Sequence, residues 1–418
     1  TNTYNVAVGF SAGLSVTTGI QNTIMGGLAG DALTDADNNV SIGYQSLTRD
    51  TLGSKSVAVG AFTLNEQNFT TATDSFNTAV GHVAGGAITT GVRNTLIGGL
   101  TGDALTTGNN NTALGFNALA ADTLGDRAVA IGVDALAAQN FTTSTDNYNI
   151  AIGFQAGAAV STGTENTLIG GLAGDAITSA EGNTTVGYNS LSAETQGKGS
   201  VAMGYHALRL QNLTSDSFAL NTAIGYSAGE AVTSGVQNTI LGALAGDGLT
   251  DADNNVAVGY LALSGDSLGS FSVAIGSSAL AAQNFTTATS SYNTAVGALA
   301  GASVTTARFN TLIGGLAGDA LTDGQENVAL GYNSLGAETQ GHRNVAVGDS
   351  ALAAQNGNDD NVYNVAVGFE AGKAVTTGVQ NTIIGGLAGD ALTNADENVV
   401  IGYQALGSDT LGSRSVAI

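Results

Sequence analysis

The chain has 418 residues, with 61 glycines and no proline, cysteine or tryptophan, and only 10% of its residues are charged. Its formal net charge of −23 excludes the basic surface that nucleic-acid binding requires and disfavours docking on an anionic membrane. The lack of cysteine excludes disulfides and thiolate metal sites, and no apolar run is long enough for a membrane-spanning helix.

The first predicted element is Asn-Val-Ala-Val-Gly at residues 5–9, and the chain repeats this stretch with small changes to its end. Equivalent glycines follow an aliphatic residue at 23 positions, from Gly9 to Gly402. In the first blocks they are separated by 17, 17, 17 and 21 residues, which sum to 72. Such nested periods indicate a solenoid, here with about 24 coils in blocks of four unlike coils.

We number the coils of each block from first to fourth. We expect them to form a single repeat rod over residues 1–418, and this rod to be a segment of a longer chain. With coils stacked at ~4.8 Å, the rod would be on the order of 110 Å long and each block would advance ~19 Å. The blocks cover residues 5–76, 77–148, 149–220, 221–292, 293–363 and 364–418.

Short alternating apolar runs such as Val6–Val8, separated by Gly, Asn and Thr, are typical of strands and turns. We therefore predict an all-β fold, a parallel β-solenoid of the β-roll or β-helix kind. The aliphatic residue before each glycine should point into the core, and the small residue before it should point outward. The glycine itself should turn a corner of the coil.

Asparagine opens the first three coils of every block, as at Asn5, Asn22 and Asn39. Stacked amides that bond to one another along the axis would fix the register between coils. The alternative is that asparagine merely tolerates a tight corner.

The second coil has a large residue where the other coils have mostly alanine or serine. If it points outward, it makes one apolar spot per block that would contact a partner chain. The alternative is a coil of different cross-section that places this residue inside. The residues are Ile24, Leu96, Leu168, Ile240, Leu312 and Ile383.

The second coil also carries aspartates that resemble half of a calcium loop. They lack the terminal glutamate of an EF-hand and the glycine-rich nonapeptide of calcium-binding β-rolls. We expect these aspartates to cap turns, with calcium as the alternative and no other cofactor. The weak calcium candidates are Asp31, Asp35, Asp37, Asp247, Asp251 and Asp253.

The third coil carries an acidic residue, at Asp50 in the first block, and a cation such as Lys55 follows near the junction. We expect each acid and cation to form a surface ion pair that contributes ~0–1 kcal/mol. The equivalent acids are Asp122, Glu194, Asp266, Glu338 and Asp409, and the equivalent cations are Arg127, Lys198, Arg343 and Arg414.

The fourth coil contains the four extra residues of the 21-residue step. They include Asn-x-Thr glycosylation acceptors on what we expect to be a protruding loop. Inheritance of a structural turn by duplication is the alternative explanation. The candidate acceptors are Asn68, Asn140, Asn212 and Asn284.

Catalytic patterns are missing from the sequence. The three histidines, His82, His206 and His342, occupy non-equivalent positions, so neither a histidine metal cluster nor a histidine-based triad can be assembled. Glycine-rich stretches lack the Lys-Ser/Thr of a phosphate loop. We therefore expect no enzymatic activity.

The repeated Ser/Asn-Val-Ala-Ile/Val-Gly unit resembles the head repeats of trimeric autotransporter adhesins of the YadA-like kind. The form Asn-Thr-Ala-x-Gly-Tyr/Phe-x-Ala-Leu is also similar to repeats of phage tail fibres and bacterial surface proteins. This resemblance implies a left-handed solenoid, three packed chains and binding to host matrix. The coils here are longer than the adhesin unit, and a single chain of this coil length could close its own core.

These observations predict a structural fibre or shaft, extracellular or on a cell or virion surface, that displays regularly spaced and glycosylated loops. Its partners would be copies of itself, as a homotrimer or along the fibre, and glycans. The alternative is an adhesin or tail-fibre module that binds a host receptor or glycan. Ice binding needs threonine on consecutive coils, and pairs such as Thr17-Thr18 are expected only in first coils.

Overall fold

The computed structural model describes residues 2–358 and 361–418, and within them the chain forms strands and turns and no helix. It makes about 24 turns of a parallel β-solenoid, which confirms the predicted fold. Its contacts group into two compact units, each described by itself. The first comprises Thr1–Met203 and Asn212–Phe218, and the second comprises Gly204–Gln211 and Ala219–Ile418.

The first unit contains sixteen short strands. They are β1 Val6–Val8, β2 Thr23–Met25, β3 Val40–Ile42, β4 Gly53–Ser54, β5 Val57–Val59, β6 Thr73–Asp74, β7 Thr78–Val80, β8 Thr95–Ile97, β9 Thr112–Leu114, β10 Gly125–Asp126, β11 Val129–Ile131, β12 Thr145–Asp146, β13 Ile150–Ile152, β14 Thr167–Ile169, β15 Thr184–Val186 and β16 Val201–Met203.

The described residues of the second unit continue the pattern with fourteen strands. They are β17 Thr222–Ile224, β18 Thr239–Leu241, β19 Val256–Val258, β20 Gly269–Ser270, β21 Val273–Ile275, β22 Thr289–Ser290, β23 Thr294–Val296, β24 Thr311–Ile313, β25 Val328–Leu330, β26 Val345–Val347, β27 Val365–Val367, β28 Thr382–Ile384, β29 Val399–Ile401 and β30 Val416–Ala417.

The register of the strand pairs matches the sequence period. Ala7 lies opposite Ile24, which in turn lies opposite Ser41, so neighbouring coils are offset by 17 residues. At the step from a fourth coil to the next first coil, Ala58 lies opposite Ala79, an offset of 21. All of these pairs are parallel, so equivalent residues of successive coils stack directly on one another.

The central residue of each main strand points into the core, and its two neighbours point outward. Ala58 and Ala79 are fully buried, whereas Met25 and Leu114 are 43% and 44% exposed. Our prediction that the aliphatic residue before the glycine points inward was therefore wrong. The prediction assumed that the larger of the two side chains points into the core. Apolar side chains are also common on protein surfaces. At the central strand position, most coils have room inside only for a small side chain such as alanine.

The large second-coil residues lie inside, where Ile24 is 1% exposed and Leu96 is fully buried. Of the two alternatives, the outward apolar spot is therefore excluded. Glycine elsewhere in the coils makes room for them, since a β-carbon on Gly102 would lie 2.9 Å from Leu96 Cδ2. Third and fourth coils reverse the arrangement, with alanine or another small residue on the strand and a buried leucine such as Leu119 later in the coil. Core volume is thus shared between two positions of each coil.

The asparagines form a buried ladder. The Asn22 backbone N–H donates to Asn5 Oδ1 at 2.8 Å, and the Asn39 N–H donates to Asn22 Oδ1 at 2.9 Å. Asn22 Nδ2 donates to the carbonyl of Ala36 in its own coil at 2.7 Å. The predicted ladder is confirmed, but its main bonds run from amide to backbone, and amide-to-amide bonds such as Asn94 to Asn77 are longer, at 3.4 Å.

The turn that follows each main strand depends on glycine. Gly26 has a φ of +136°, and a β-carbon there would lie 2.5 Å from the carbonyl oxygen of Gly43 in the next coil. Both the backbone angle and the close approach of the next coil exclude a side chain. The prediction of a corner glycine is confirmed.

Candidate interaction surfaces

The fourth-coil loops are tied to the solenoid. In the first block β4 and β6 pair in parallel, with Gly53 opposite Thr73, and Phe69 is only 5% exposed. The candidate acceptors Asn68, Asn140 and Asn284 are exposed, and Asn212 is half-buried. The loops are therefore anchored by an apolar residue that follows each asparagine, and glycosylation of these asparagines stays a prediction.

The second-coil aspartates of the calcium candidates bond to neighbouring coils. Asp31 Oδ1 accepts from Thr48 Oγ1 at 2.5 Å, and Asp37 Oδ1 accepts from the Ile20 N–H at 2.8 Å. In the later block Asp253 Oδ1 accepts from the Val236 N–H at 2.8 Å. Two further candidates also accept a hydrogen bond from the preceding coil, Asp35 Oδ1 from Thr18 and Asp251 Oδ1 from Ser234. The Oδ1 atom of the last candidate, Asp247, has no hydrogen-bond donor.

Within the described part of the chain, no three His, Asp or Glu side chains converge in a way that could hold a metal ion. The aspartates instead connect coils through hydroxyl and backbone donors. Calcium binding stays a prediction without a geometric site to support it.

Several second-coil aspartates have an oxygen without a hydrogen-bond donor. In the described residues the Oδ1 atoms of Asp175, Asp247 and Asp319 are buried and unpaired. Burial raises the pKa of each of these carboxyl groups, partly offset by backbone hydrogen bonds. At these positions the folded state therefore disfavours the charged carboxylate.

The third-coil acids do not form the predicted surface ion pairs. Asp50 is fully buried, and its Oδ1 accepts from the N–H groups of Gly53 and Phe69 at 3.0 and 3.1 Å. Its Oδ2 accepts from Gln67 Nε2 at 2.6 Å, and Gln67 Oε1 accepts from Asn77 Nδ2 at 2.9 Å. The glutamine thus connects the third-coil acid to the asparagine ladder where the fourth coil has no asparagine of its own.

The cations near the junction pair with other acids. Lys55 Nζ lies 2.6 Å from Asp74 Oδ2, and Arg127 pairs with Asp146. Both pairs are largely exposed, so each contributes ~0–1 kcal/mol. The equivalent pairs are Lys198 with Glu181 and Asp216, Arg343 with Glu326, and Arg414 with Glu397.

The outward residues of the main strands form an apolar surface, which we call the strand face. It consists of the first and third residues of each three-residue strand, for example Thr239 and Leu241. Every described third position is Val, Ile, Leu or Met, and no outward residue of these strands is charged. Leu114, Leu241 and Leu330 on this face are 44%, 45% and 44% exposed.

A row of exposed aromatic side chains follows the corner glycine, two residues beyond the strand face. We call it the aromatic row. Its third-coil members are 50–73% exposed, and they are Tyr44, Phe116, Tyr188, Tyr260, Tyr332 and Tyr403. First coils add Phe10, Phe154, Tyr226 and Phe369, and second coils have glycine or Ala243 at this place. The alternation of aromatic and small residues was visible in the sequence, and we did not use it.

Further exposed aromatics precede the first-coil asparagines and lie beside cations. The Lys55 ammonium lies 5.1 Å from the ring centre of Phe76, and the Arg127 guanidinium lies 5.6 Å from that of Tyr148. Tyr148 is 51% exposed, as much as the aromatic row. Both of these rings therefore have a cation beside them.

Threonine does recur on consecutive coils, contrary to our reading of the sequence. Thr17 Oγ1 donates to the Thr34 carbonyl at 3.1 Å, and Thr34 Oγ1 donates to the Thr51 carbonyl at 3.0 Å. Thr51 Oγ1 donates to the Phe69 carbonyl at 2.9 Å, where the fourth-coil loop interrupts the row. The hydroxyls therefore bond coil to coil instead of forming the uninterrupted threonine surface that ice binding requires.

Comparison with known protein families and with curated proteins finds no match. In the described residues no helix has the length and hydropathy of a membrane span. The fold and the surfaces described above therefore carry the functional argument.

Proposed function

We propose that the chain is a structural fibre or shaft, extracellular or on a cell or virion surface, in which copies of the chain pack through the strand face. The β-solenoid itself defines a structural repeat protein. In each unit, backbone bonds connect every coil to the next, and the stacked asparagines and threonines add side-chain bonds between many of the coils. These connections support a mechanical role, because they extend along the repeat without converging on one site.

The single observation that carries the proposal is the strand face. Its third positions are apolar at every described coil, its first positions are Val, Ile or Thr, and none of its residues is charged, in a chain with 33 acidic residues. Covering a half-exposed leucine contributes roughly 1 kcal/mol, and the face repeats this gain at coil after coil. Exposed apolar surface of this extent marks an interaction site.

A copy of the same chain is the occupant that the face fits. Its coils repeat with the same spacing, so side chains of two faces can interdigitate at every coil. A partner with a different repeat would lose this match within a few coils. The acidic side chains lie off the face, so repulsion between copies acts elsewhere and is screened by salt.

Substitutions on the strand face test the proposal. The triple variant Leu114→Lys, Leu241→Lys, Leu330→Lys places charges on the face at residues that are exposed in the single chain, so the fold tolerates them. Light scattering should give more than one copy for the unsubstituted chain and the 41.1 kDa of one chain for the variant.

A matched control carries three lysines on the exposed fourth-coil loops: Thr143→Lys, Ser215→Lys, Thr287→Lys. We expect it to keep the mass of the unsubstituted chain. If the unsubstituted protein is a single chain at all concentrations, or if the control dissociates as the face variant does, packing through the strand face is wrong.

A further inference from the structure

Third-coil rings of the aromatic row lie next to a glycine of the preceding second coil. A β-carbon on Gly27 would lie 3.5 Å from Tyr44 Cδ2, and one on Gly315 would lie 3.6 Å from Tyr332 Cδ2. These third-coil rings therefore lie beside a glycine of the preceding second coil at a distance that leaves room for no more than a small side chain, and Tyr260 has Ala243 in its place. The third-coil rings nevertheless stay at least half exposed.

The row has a regular spacing in four of the six blocks, the first, third, fourth and sixth. Third-coil aromatics alternate with first-coil aromatics, and one coil separates each from the next. Two coils advance ~9.6 Å along the axis. Elsewhere the interval changes, because His82 and Ala298 replace the first-coil ring in the second and fifth blocks, and Tyr205 of a fourth coil adds a ring between Tyr188 and Tyr226.

We infer that the aromatic row binds a neutral, extended polysaccharide that lies along the solenoid axis. The apolar C–H face of a sugar packs on an aromatic ring, and in an extended β-1,4-linked glycan the disaccharide repeat is close to two coil spacings. Successive rings would then meet successive disaccharides in the same orientation. Many weak contacts of this kind add up along a polymer through effective concentration.

Charge and shape select this ligand class. The net charge of −23 repels nucleic acids and anionic glycans. An extended peptide strand repeats at about 6.7 Å, which does not match the rings. A polyproline II segment repeats at ~9.3 Å but docks in aromatic-lined grooves, whereas these rings are open to solvent.

The inference goes beyond the structural role and does not depend on association of copies, because the rings lie beyond the corner glycine and outside the strands. It assigns a defined surface to the alternative function, in which the chain binds a host receptor or glycan.

Co-sedimentation with insoluble cellulose and with insoluble chitin tests it. We expect the unsubstituted chain to pellet with at least one of the two. The triple variant Phe116→Ala, Tyr260→Ala, Tyr332→Ala should lose at least tenfold in affinity, and Tyr260→Phe, Tyr332→Phe should bind within twofold of the unsubstituted chain. The control Tyr148→Ala, Tyr292→Ala, Tyr363→Ala removes equally exposed rings outside the row and should also bind within twofold.

Thermal unfolding of each variant shows whether the fold is kept, and a variant that unfolds early is replaced by the corresponding single substitutions. The inference is overturned if the unsubstituted chain stays in the supernatant with both glycans, or if the row variant and the control bind alike. Displacement from the glycan by soluble poly-L-proline would overturn the ligand class and assign the row to polyproline segments.

Discussion

At the residue scale, the buried asparagines determine how one coil joins the next. Asn255 accepts from the Ser272 N–H at 2.8 Å and donates to the Gly269 carbonyl at 2.9 Å. It is fully buried, so removal of the amide would leave the Ser272 N–H and the Gly269 carbonyl without this side-chain partner. An unpaired buried polar group costs ~1–3 kcal/mol.

We therefore predict that Asn255→Ala lowers the free energy of unfolding by roughly 2–4 kcal/mol. The exposed Asn284 offers a matched control in the same unit, and Asn284→Ala should change it by less than ~0.5 kcal/mol. Denaturant unfolding measures both. Equal effects of the two substitutions would show that the ladder does not hold the coils together.

A second prediction at this scale concerns pH. Burial raises the pKa of Asp175 and Asp319, so their protonation favours the folded state. The resulting stability is present at low pH and is lost as the pH rises through the raised folded-state pKa. Asp175→Asn, Asp319→Asn should therefore raise the unfolding temperature at pH 7, with a gain that shrinks toward pH 4.

Asp31 provides the contrast, because its Oδ1 accepts a hydrogen bond from Thr48. Asp31→Asn weakens that bond and should lower the unfolding temperature at pH 7. If the Asp175→Asn, Asp319→Asn variant unfolds at a lower temperature than the unsubstituted chain at pH 7, the unpaired oxygens do not destabilise the fold as we propose.

At the element scale, each second coil matches a large core residue with a glycine. Leu96 fills the space that Gly102 leaves, and Gly102 has a φ of +55°. We predict that Leu96→Ala costs ~2–5 kcal/mol through the cavity that it creates. Gly102→Ala should also destabilise, by a clash and by its backbone angle.

Together the two substitutions should cost less than their sum by about 1 kcal/mol, because the new methyl group enters the new cavity. A double-mutant cycle by denaturant unfolding gives this coupling. Simple additivity would mean that the two positions do not share one volume.

The element scale also shows where sequence reasoning failed. Alternation correctly identified three-residue strands, but it does not say which face is inside, and side-chain size suggested the wrong face. Asp50 looked like a surface partner of Lys55 because the two are close in sequence. The fold instead buries Asp50 against Gln67, 17 residues away in the next coil. Sequence spacing alone does not show which residues of neighbouring coils make such contacts.

At the scale of the whole molecule, repetition made the fold predictable. The offsets between paired strands equal the 17- and 21-residue steps between corner glycines, as in the pairing of Ala7 with Ile24 and of Ala58 with Ala79. A sequence period determines which residues stack on one another. It does not determine the handedness of the solenoid, the number of associated copies or the location of the protein, and these three stay predictions. The strand face and the aromatic row emerged only once burial was known.

Coil stacking at an offset of 17 residues is the central claim, and spin labels test it most directly. The chain has no cysteine, so Gln21→Cys, Asn38→Cys provides two labels at equivalent exposed positions of neighbouring coils. Their backbones should be ~4.8 Å apart, and those of Gln21→Cys, Lys55→Cys ~9.6 Å apart. Electron paramagnetic resonance should show strong dipolar broadening for the first pair and weaker broadening for the second, and no broadening for the first pair would contradict the solenoid.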